Sequence, residues 1–262
     1  IQKEISVWAE KRFQAGGAPI KIRLVKGANL AMESYEAALK NWPQAPYSSK
    51  QQADANYKRM LEFGLTGDRP RAVHLGVASH NLFDVAYALV LQYETERFEE
   101  VEWEMLRGMS GSLGRAVQEI AGHLLYYSPV AGRKEFEYAI PYLVRRFDEN
   151  SATENFLRAS FYLTIDSPAW KEQVVCFKKA CEMVEHLDEA SHRIQNRLTP
   201  PNSLEEGPFQ NEPDTDWTLA SNRSLAKELF SVPPSFDAPA LCIAGQEYED
   251  GEERAEGIDP SH

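Results

Sequence analysis

The sequence predicts an α/β protein built on a parallel sheet. Four short apolar runs, residues 20–25, 72–78, 101–106 and 123–127, alternate with longer segments in which apolar residues recur at helical spacing. Strands that alternate with helices in this way form parallel sheets, because a right-handed helical crossover returns the chain to the same edge. Polar or glycine-bearing motifs follow the strands, and an acidic stretch closes the chain.

The predicted helices come in order between and after these runs. Apolar spacing predicts helices over residues 30–39 and 52–63, separated by a proline-containing loop, and then over 81–93, 115–121 and 135–147. Short helices follow from residue 155, and a long amphipathic helix covers 169–193. The stretch LTPPNSLEEGP is typical of a linker, so we expect an irregular acidic tail after it, over 209–262.

Two architectures fit this order of elements, a doubly wound sheet and part of a (β/α)8 barrel. No GxGxxG motif follows any strand, which weakens the dinucleotide-binding version of the doubly wound sheet. The motifs KGAN, SHN, RGM and SPV each come directly after a strand. Barrel enzymes keep their chemistry in the loops at the carboxyl ends of their strands, and four βα units would make half a barrel.

Charge and composition narrow the possible partners. The formal net charge is -12, and because binding to nucleic acid or to an anionic membrane requires a basic face, neither is expected. The three cysteines, Cys176, Cys181 and Cys242, fit a reducing cytoplasm better than a disulfide framework. The six histidines form no zinc-binding spacing, so no metal site is predicted.

The chain opens at Ile1 inside a helical pattern, and we expect it to be an internal piece of a larger protein.

Five motifs carry a resemblance to a known family. They are RLVKGAN at 23–29, VASHN at 77–81, MLRGM at 105–109, YYSPV at 126–130 and YLVRRFDEN at 142–150. In this order they resemble the second half of the proline dehydrogenase barrel. The segment FQNEPDTDWTLASNR at 209–223 resembles the opening of the L-glutamate γ-semialdehyde dehydrogenase part of the bifunctional proline utilization A family.

The resemblance implies three parts and one overall function. Residues 1–165 would be the C-terminal half of the proline dehydrogenase barrel, 166–205 a helical linker, and 206–262 the lead-in of the semialdehyde dehydrogenase. The implied activity is FAD-dependent oxidation of L-proline to 1-pyrroline-5-carboxylate, followed in the fused enzyme by an NAD-dependent oxidation to glutamate. The implied setting is cytoplasmic and oligomeric, with a quinone or another electron acceptor and with peripheral membrane contact confined to the parent enzyme.

Arg145 and Arg146 are the predicted substrate-binding pair. Adjacent residues on a helix point ~100° apart, so two guanidinium groups can approach one carboxylate from two sides. Glu149 is three and four residues further on and could orient both. Spacing alone favours an exposed helix with ordinary ion pairs, whereas the resemblance implies a clamp on the carboxylate of proline. It also places Tyr127 against the proline ring and Leu106 on the same pocket wall, positions that core packing would equally explain.

The resemblance assigns a larger set of residues to FAD. They are Arg23, Val25, Lys26, Gly27, Ala28, Lys50, Ala78, His80, Asn81 and Phe156. Cations and a bare glycine backbone suit an electron-rich ring edge and a diphosphate. From the residues alone, a solvated loop after the first strand, a structural histidine and a core phenylalanine remain open. No catalytic acid or base is predicted in this half.

Two other functions stay open at this point. The long helix and the acidic tail could form a non-catalytic scaffold or oligomerisation segment, and the strand ends could belong to an unrelated barrel enzyme that binds phosphate. Half a barrel would leave two unpaired strand edges and an open apolar interior. We therefore expect the chain by itself to self-associate, which light-scattering chromatography would detect.

Overall fold

The computed structural model describes residues 1–27, 30–67, 71–151, 155–160, 162–199, 208, 211–231 and 240–248. The chain divides into two compact units, Ile1–Arg193 and Ile194–His262. Among the described residues, no helix is both long enough and apolar enough to cross a membrane.

The first unit contains a four-stranded parallel sheet. Its strands are β1 (Ile20–Leu24), β2 (Val73–Ala78), β3 (Val101–Leu106) and β4 (Leu125–Tyr127), and they lie side by side in chain order. Every neighbouring pair is parallel. The strict alternation of strand and helix in the sequence is therefore confirmed, and each predicted strand is found within two residues of its expected limits.

Helices precede, connect and follow these strands. In chain order they are α1 (Gln2–Gln14), α2 (Leu30–Leu39), α3 (Lys50–Leu65), α4 (Leu82–Thr95), α5 (Gly111–Ala121), α6 (Phe136–Ser151), α7 (Phe156–Ser160) and α8 (Pro168–Met183), followed by a 3-10 turn at Val184–His186.

The predicted helix over 169–193 ends ten residues early. The carbonyls just beyond the 3-10 turn are bound by side chains rather than by a further helical turn, since Arg59 donates to Leu187 O at 3.3 Å and Tyr47 donates to Asp188 O at 2.5 Å.

A capping box fixes the start of α3. The Ser49 hydroxyl accepts from Gln52 N at 3.2 Å, and the Gln52 side chain accepts from Ser49 N at 3.3 Å. We expect Ser49→Ala to lower the free energy of unfolding by about 1 kcal/mol. Ser110 precedes α5 without a side-chain cap hydrogen bond, so Ser110→Ala is the matched control and should change little. Equal losses in urea titrations of the two variants would contradict this reading.

The hydrophobic core lies between one face of the sheet and the helices. Trp103, Met105 and Leu75 of the strands belong to the same buried cluster as Tyr57 and Leu61 of α3, and all five are at most 2% exposed. These strand residues are alternate positions, as a half-buried strand requires. The helical layer and the sheet therefore form one continuous core.

The opposite face of the sheet is polar. Lys21 and Arg23 of β1 form ion pairs with Glu102 and Glu104 of β3 across the small residue Gly76 of β2. A Cβ atom at Gly76 would collide with the Glu104 carboxylate, so glycine leaves room for these bridges. The prediction of an open apolar interior is wrong, because the alternate residues of β1 and β3 are charged and pair with one another.

The second unit contains α9 (Ala220–Ser231) and a hairpin of β5 (Leu241–Ile243) and β6 (Gln246–Tyr248). Ala244 and Gly245 both have positive φ, at 51° and 80°, which fits a two-residue hairpin turn. The buried Asn222 donates to Asp216 O at 2.9 Å and to Gln195 Oε1 at 3.0 Å, which fixes the start of α9. The tail is therefore not irregular throughout, although residues 249–262 lie outside the described part of the chain.

Candidate active site at the carboxyl ends of the strands

The predicted site residues converge because the strands are parallel. Ala78, Leu106 and Tyr127 are the last residues of β2, β3 and β4, and Leu106 lies directly opposite Tyr127 in the register. Arg23 is one residue before the end of β1. Carboxyl ends of parallel strands share one edge, so these residues form one surface, as expected for a barrel-type site.

Arg23 is held in place by two partners. Its Nε donates to Glu104 Oε2 at 2.5 Å, and its guanidinium carbon lies 4.5 Å from the centre of the Tyr127 ring. The Glu104 side chain is 0% exposed and also contacts Lys21 Nζ at 3.0 Å. Sequence reasoning missed Glu104. The available signal was the pair of alternate glutamates in VEWEML, matched by the alternate cations of IKIRL.

His80 presents a neutral ring beside this cation. The Leu106 backbone N–H donates to His80 Nε2 at 3.0 Å, so a neutral imidazole carries its proton on Nδ1. Burial, followed by the charge of Arg23, lowers the pKa of His80 from 6.5 to about 4. The Nδ1 atom is buried without a hydrogen-bond partner among the described residues. A ligand atom that accepts a hydrogen bond would suit it.

The depressed pKa of His80 gives a pH prediction. The unfolded chain takes up this proton near pH 6.5 and the folded chain only near pH 4, so the free energy of unfolding should fall as pH drops through that window. We expect the NMR signal of His80 to titrate near pH 4. His80→Gln should flatten the pH dependence of stability in that window. An unchanged slope would contradict the prediction.

A cavity of about 580 Å³ lies beside β4 and α6. Its walls are residues 127–132, Glu135, Tyr138, Ala139 and Tyr142. The guanidinium carbon of Arg146 lies 5.2 Å from the centre of the Tyr142 ring, so Arg146 adjoins the cavity through Tyr142. Arg146 is partly buried and Arg145 is exposed. The side chain of Glu149 lies outside the described residues, and its orienting role stays a prediction.

The loop after β1 carries Lys26 into a group of paired charges that includes the buried Asp54 and Asp84. Lys26 pairs with Asp54 at 2.7 Å and with Asp84, and Lys50 pairs with Asp54 at 2.6 Å. Gly27 follows with φ +97° and open space where a Cβ would stand. Val25 is exposed, and Ala28 lies outside the described residues.

Two predicted cofactor residues have other contacts in the structure. The Asn81 side chain caps α4, where its Oδ1 accepts from Phe83 N at 2.9 Å and from Asp84 N at 3.4 Å. Phe156 is 5% exposed and lies edge-on to Phe83 at 6.2 Å between ring centres. Their cofactor contacts stay predictions, with capping and core packing as the observed roles. Among the described residues, no group of three His, Cys, Asp or Glu side chains could hold a metal ion.

A proline dehydrogenase family model matches residues 2–159, more than half of the chain. The chain belongs to the proline dehydrogenase family. The matched range contains all four strands of the sheet, the cavity beside β4 and both arginines of α6. Membership in this family removes the alternative of an unrelated phosphate-binding barrel enzyme.

Relatives of known structure share the fold. Proline utilization A from Corynebacterium freiburgense is 34% identical, with a TM-score of 0.72 over 90% of this chain and 21% of its own. The Bdellovibrio bacteriovorus protein, inactivated by N-propargylglycine, is 26% identical, with a TM-score of 0.69 over 96% of this chain and 24% of its own. Bos taurus hydroxyproline dehydrogenase is 31% identical over 147 residues, which are 55% of this chain and 31% of that protein. The chain thus spans less than a third of each of these relatives.

Proposed function

We propose that this chain carries part of the active site for the FAD-dependent oxidation of L-proline to 1-pyrroline-5-carboxylate. The observation that carries the proposal is the cavity at the end of β4, where Tyr127 and Tyr142 form walls and Arg146 lies against Tyr142. This cavity lies within the range that the proline dehydrogenase family model matches. A small ring with one carboxylate fits an aromatic wall beside guanidinium groups.

The substrate would be oriented by charge and by stacking. Arg145 and Arg146 would bind the carboxylate, and Tyr127 would pack against the apolar carbons of the ring. Leu106, beside Tyr127 in the register, would close the same wall. Such fixed placement of the reacting carbon is the largest contribution that these residues could make to the rate.

The residues at the ends of β1 and β2 fit a flavin. Nδ1 of His80 is buried and has no hydrogen-bond partner in the described part of the chain. Gly27 leaves its backbone open, and Lys26 and Arg23 supply fixed positive charge. When bound, the flavin would accept the hydride that proline loses from C5. Arg23 would supply positive charge at the ring edge. Neutral His80 would donate a hydrogen bond without adding another charge.

The test is the visible spectrum of the purified chain, supplied with FAD, before and after anaerobic L-proline. Bound yellow flavin that bleaches supports the proposal. A chain that binds FAD and never bleaches would limit its role to holding the cofactor. A chain that takes up no FAD would overturn the proposal for this chain.

A second candidate substrate is hydroxyproline, because the chain is 31% identical to a hydroxyproline dehydrogenase over 147 residues. The same experiment separates the two. Bleaching by trans-4-hydroxy-L-proline at a rate equal to or above that of L-proline would favour the second candidate. Since Tyr127 offers an aromatic face to the ring, we expect L-proline to be the faster substrate.

The wider arrangement is part of the same proposal. Residues 1–165 would be the second half of a barrel, 166–205 a linker and 206–262 the lead-in of a semialdehyde dehydrogenase that uses NAD. The order of β1 to β4 and the likeness to two proline utilization A structures support the first part. The last part rests on the resemblance of 209–223, of which residues 209 and 210 lie outside the described residues.

A further inference from the structure

Five charged side chains form an alternating chain of ion pairs beneath the loop after β1. In order they are Lys50, Asp54, Lys26, Asp84 and Lys58, called here the lysine–aspartate chain. Each carboxylate oxygen has one ammonium partner. Asp54 contacts Lys50 at 2.6 Å and Lys26 at 2.7 Å, and Asp84 contacts Lys58 at 3.0 Å and also Lys26.

The chain of charges joins three separate elements. Lys26 follows β1, Asp84 lies in the first turn of α4, and the other three members are on α3. Asp84 and Lys58 are both 1% exposed, so this end of the chain is fixed inside the core. Lys26 is at the middle, and its side chain remains 23% exposed.

The electrostatics hold Lys26 as a cation. Burial alone would lower the pKa of Lys26, but the carboxylates of Asp84 and Asp54 outweigh it and raise that pKa. Burial would likewise raise the pKa of Asp54, but the ammonium groups of Lys26 and Lys50 lower it. Three ammonium groups and two carboxylates leave one positive charge in excess at the carboxyl end of β1.

We propose that Asp84 and Asp54 are positioning residues for the flavin site, holding Lys26 in place and tying it to Lys50. This inference rests on the proposed function. An unrestrained lysine has several rotatable bonds and would lose that freedom on binding, whereas Lys26 is already fixed before any anion arrives. The two aspartates contribute without touching the flavin, and the excess positive charge favours its anionic part.

The sharpest test uses a charge-neutral double variant. Asp84→Asn combined with Lys58→Met removes one negative and one positive charge, so the net charge of the cluster is unchanged. Lys26 then keeps only Asp54 as a partner and is held less firmly. We expect this to raise the Kd for FAD about tenfold, measured by quenching of flavin fluorescence. The control, Lys3→Met with Glu189→Gln, removes an exposed pair at 2.7 Å with the same charge change and should leave the Kd unaltered.

A second readout needs no flavin. Acetylation of Lys26 by acetic anhydride, followed by mass spectrometry, should be slow in the parent chain and several-fold faster in the double variant, because an ion-paired ammonium is a poor nucleophile. Lys58→Met alone leaves both carboxylates on Lys26 and should keep acetylation slow. It separates the positioning of Lys26 from the packing of the core.

The outcomes are distinct. A raised Kd together with faster acetylation supports the inference. An unchanged Kd in a folded double variant overturns it while the proposed function stands, and unchanged acetylation shows that Asp84 does not hold Lys26. If the parent chain takes up no FAD, the proposed function itself fails.

Discussion

Arg145→Ala should weaken the use of L-proline by about two orders of magnitude, because a charge-assisted contact to a carboxylate contributes roughly 2–3 kcal/mol. Arg145 is exposed on α6, next to the partly buried Arg146, and its removal disturbs no packed core. The effect should therefore appear as a higher apparent Kd for proline in flavin-reduction assays. The thermal midpoint should stay where it was.

The matched controls for Arg145 are an exposed arginine elsewhere and a conservative change at the same position. Arg115 on α5 is also exposed, and Arg115→Ala should leave proline use unchanged. Arg145→Lys should recover part of the loss, since lysine keeps the charge but cannot form two parallel hydrogen bonds. Binding of a non-oxidisable five-membered-ring carboxylate gives the same comparison without turnover. An Arg145→Ala variant with normal affinity would show that the clamp is elsewhere.

Asp84→Ala should be the most destabilising change among the ion pairs of the first unit. It leaves the ammonium of Lys58, which is 1% exposed, without a carboxylate, and such a loss typically costs ~3–5 kcal/mol. Lys58→Met should cost less than ~1.5 kcal/mol. Methionine is similar in volume and apolar, and Asp84 keeps Lys26 as a partner.

Urea titrations of the three proteins measure this asymmetry. The midpoint should fall much further for Asp84→Ala than for Lys58→Met, with equal m-values showing that the unfolded states are comparable. If Lys58→Met lowered the unfolding midpoint as much as Asp84→Ala, the ion pair with Lys26 would not be enough to stabilise Asp84 in the absence of Lys58. The double variant Asp84→Ala with Lys58→Met should recover most of the lost stability, since no buried ammonium then lacks a partner.

Local pattern was enough to predict the order of elements in the first unit. Strands such as residues 101–106 are short, alternate in polarity and are bounded by turn residues, and the helices between them have regular apolar spacing. Parallel pairing follows from that order, because each crossover is a helix. The gathering of Ala78, Leu106 and Tyr127 at one edge follows in turn, since parallel strands end on the same side.

The sequence by itself thus determined the α/β fold, the parallel sheet and the family of the chain. Only the tertiary structure decided which charges meet. The contact of Arg23 with Glu104 joins residues 81 apart, and that of Lys58 with Asp84 joins residues 26 apart. Local propensity reports on neighbours within a turn or a strand and carries no information on such pairs. The alternating charges of β1 and β3 were visible in the sequence, but their pairing across Gly76 depends on the register of the strands. The fixed position of Lys26 likewise depends on the packing of α3 and α4.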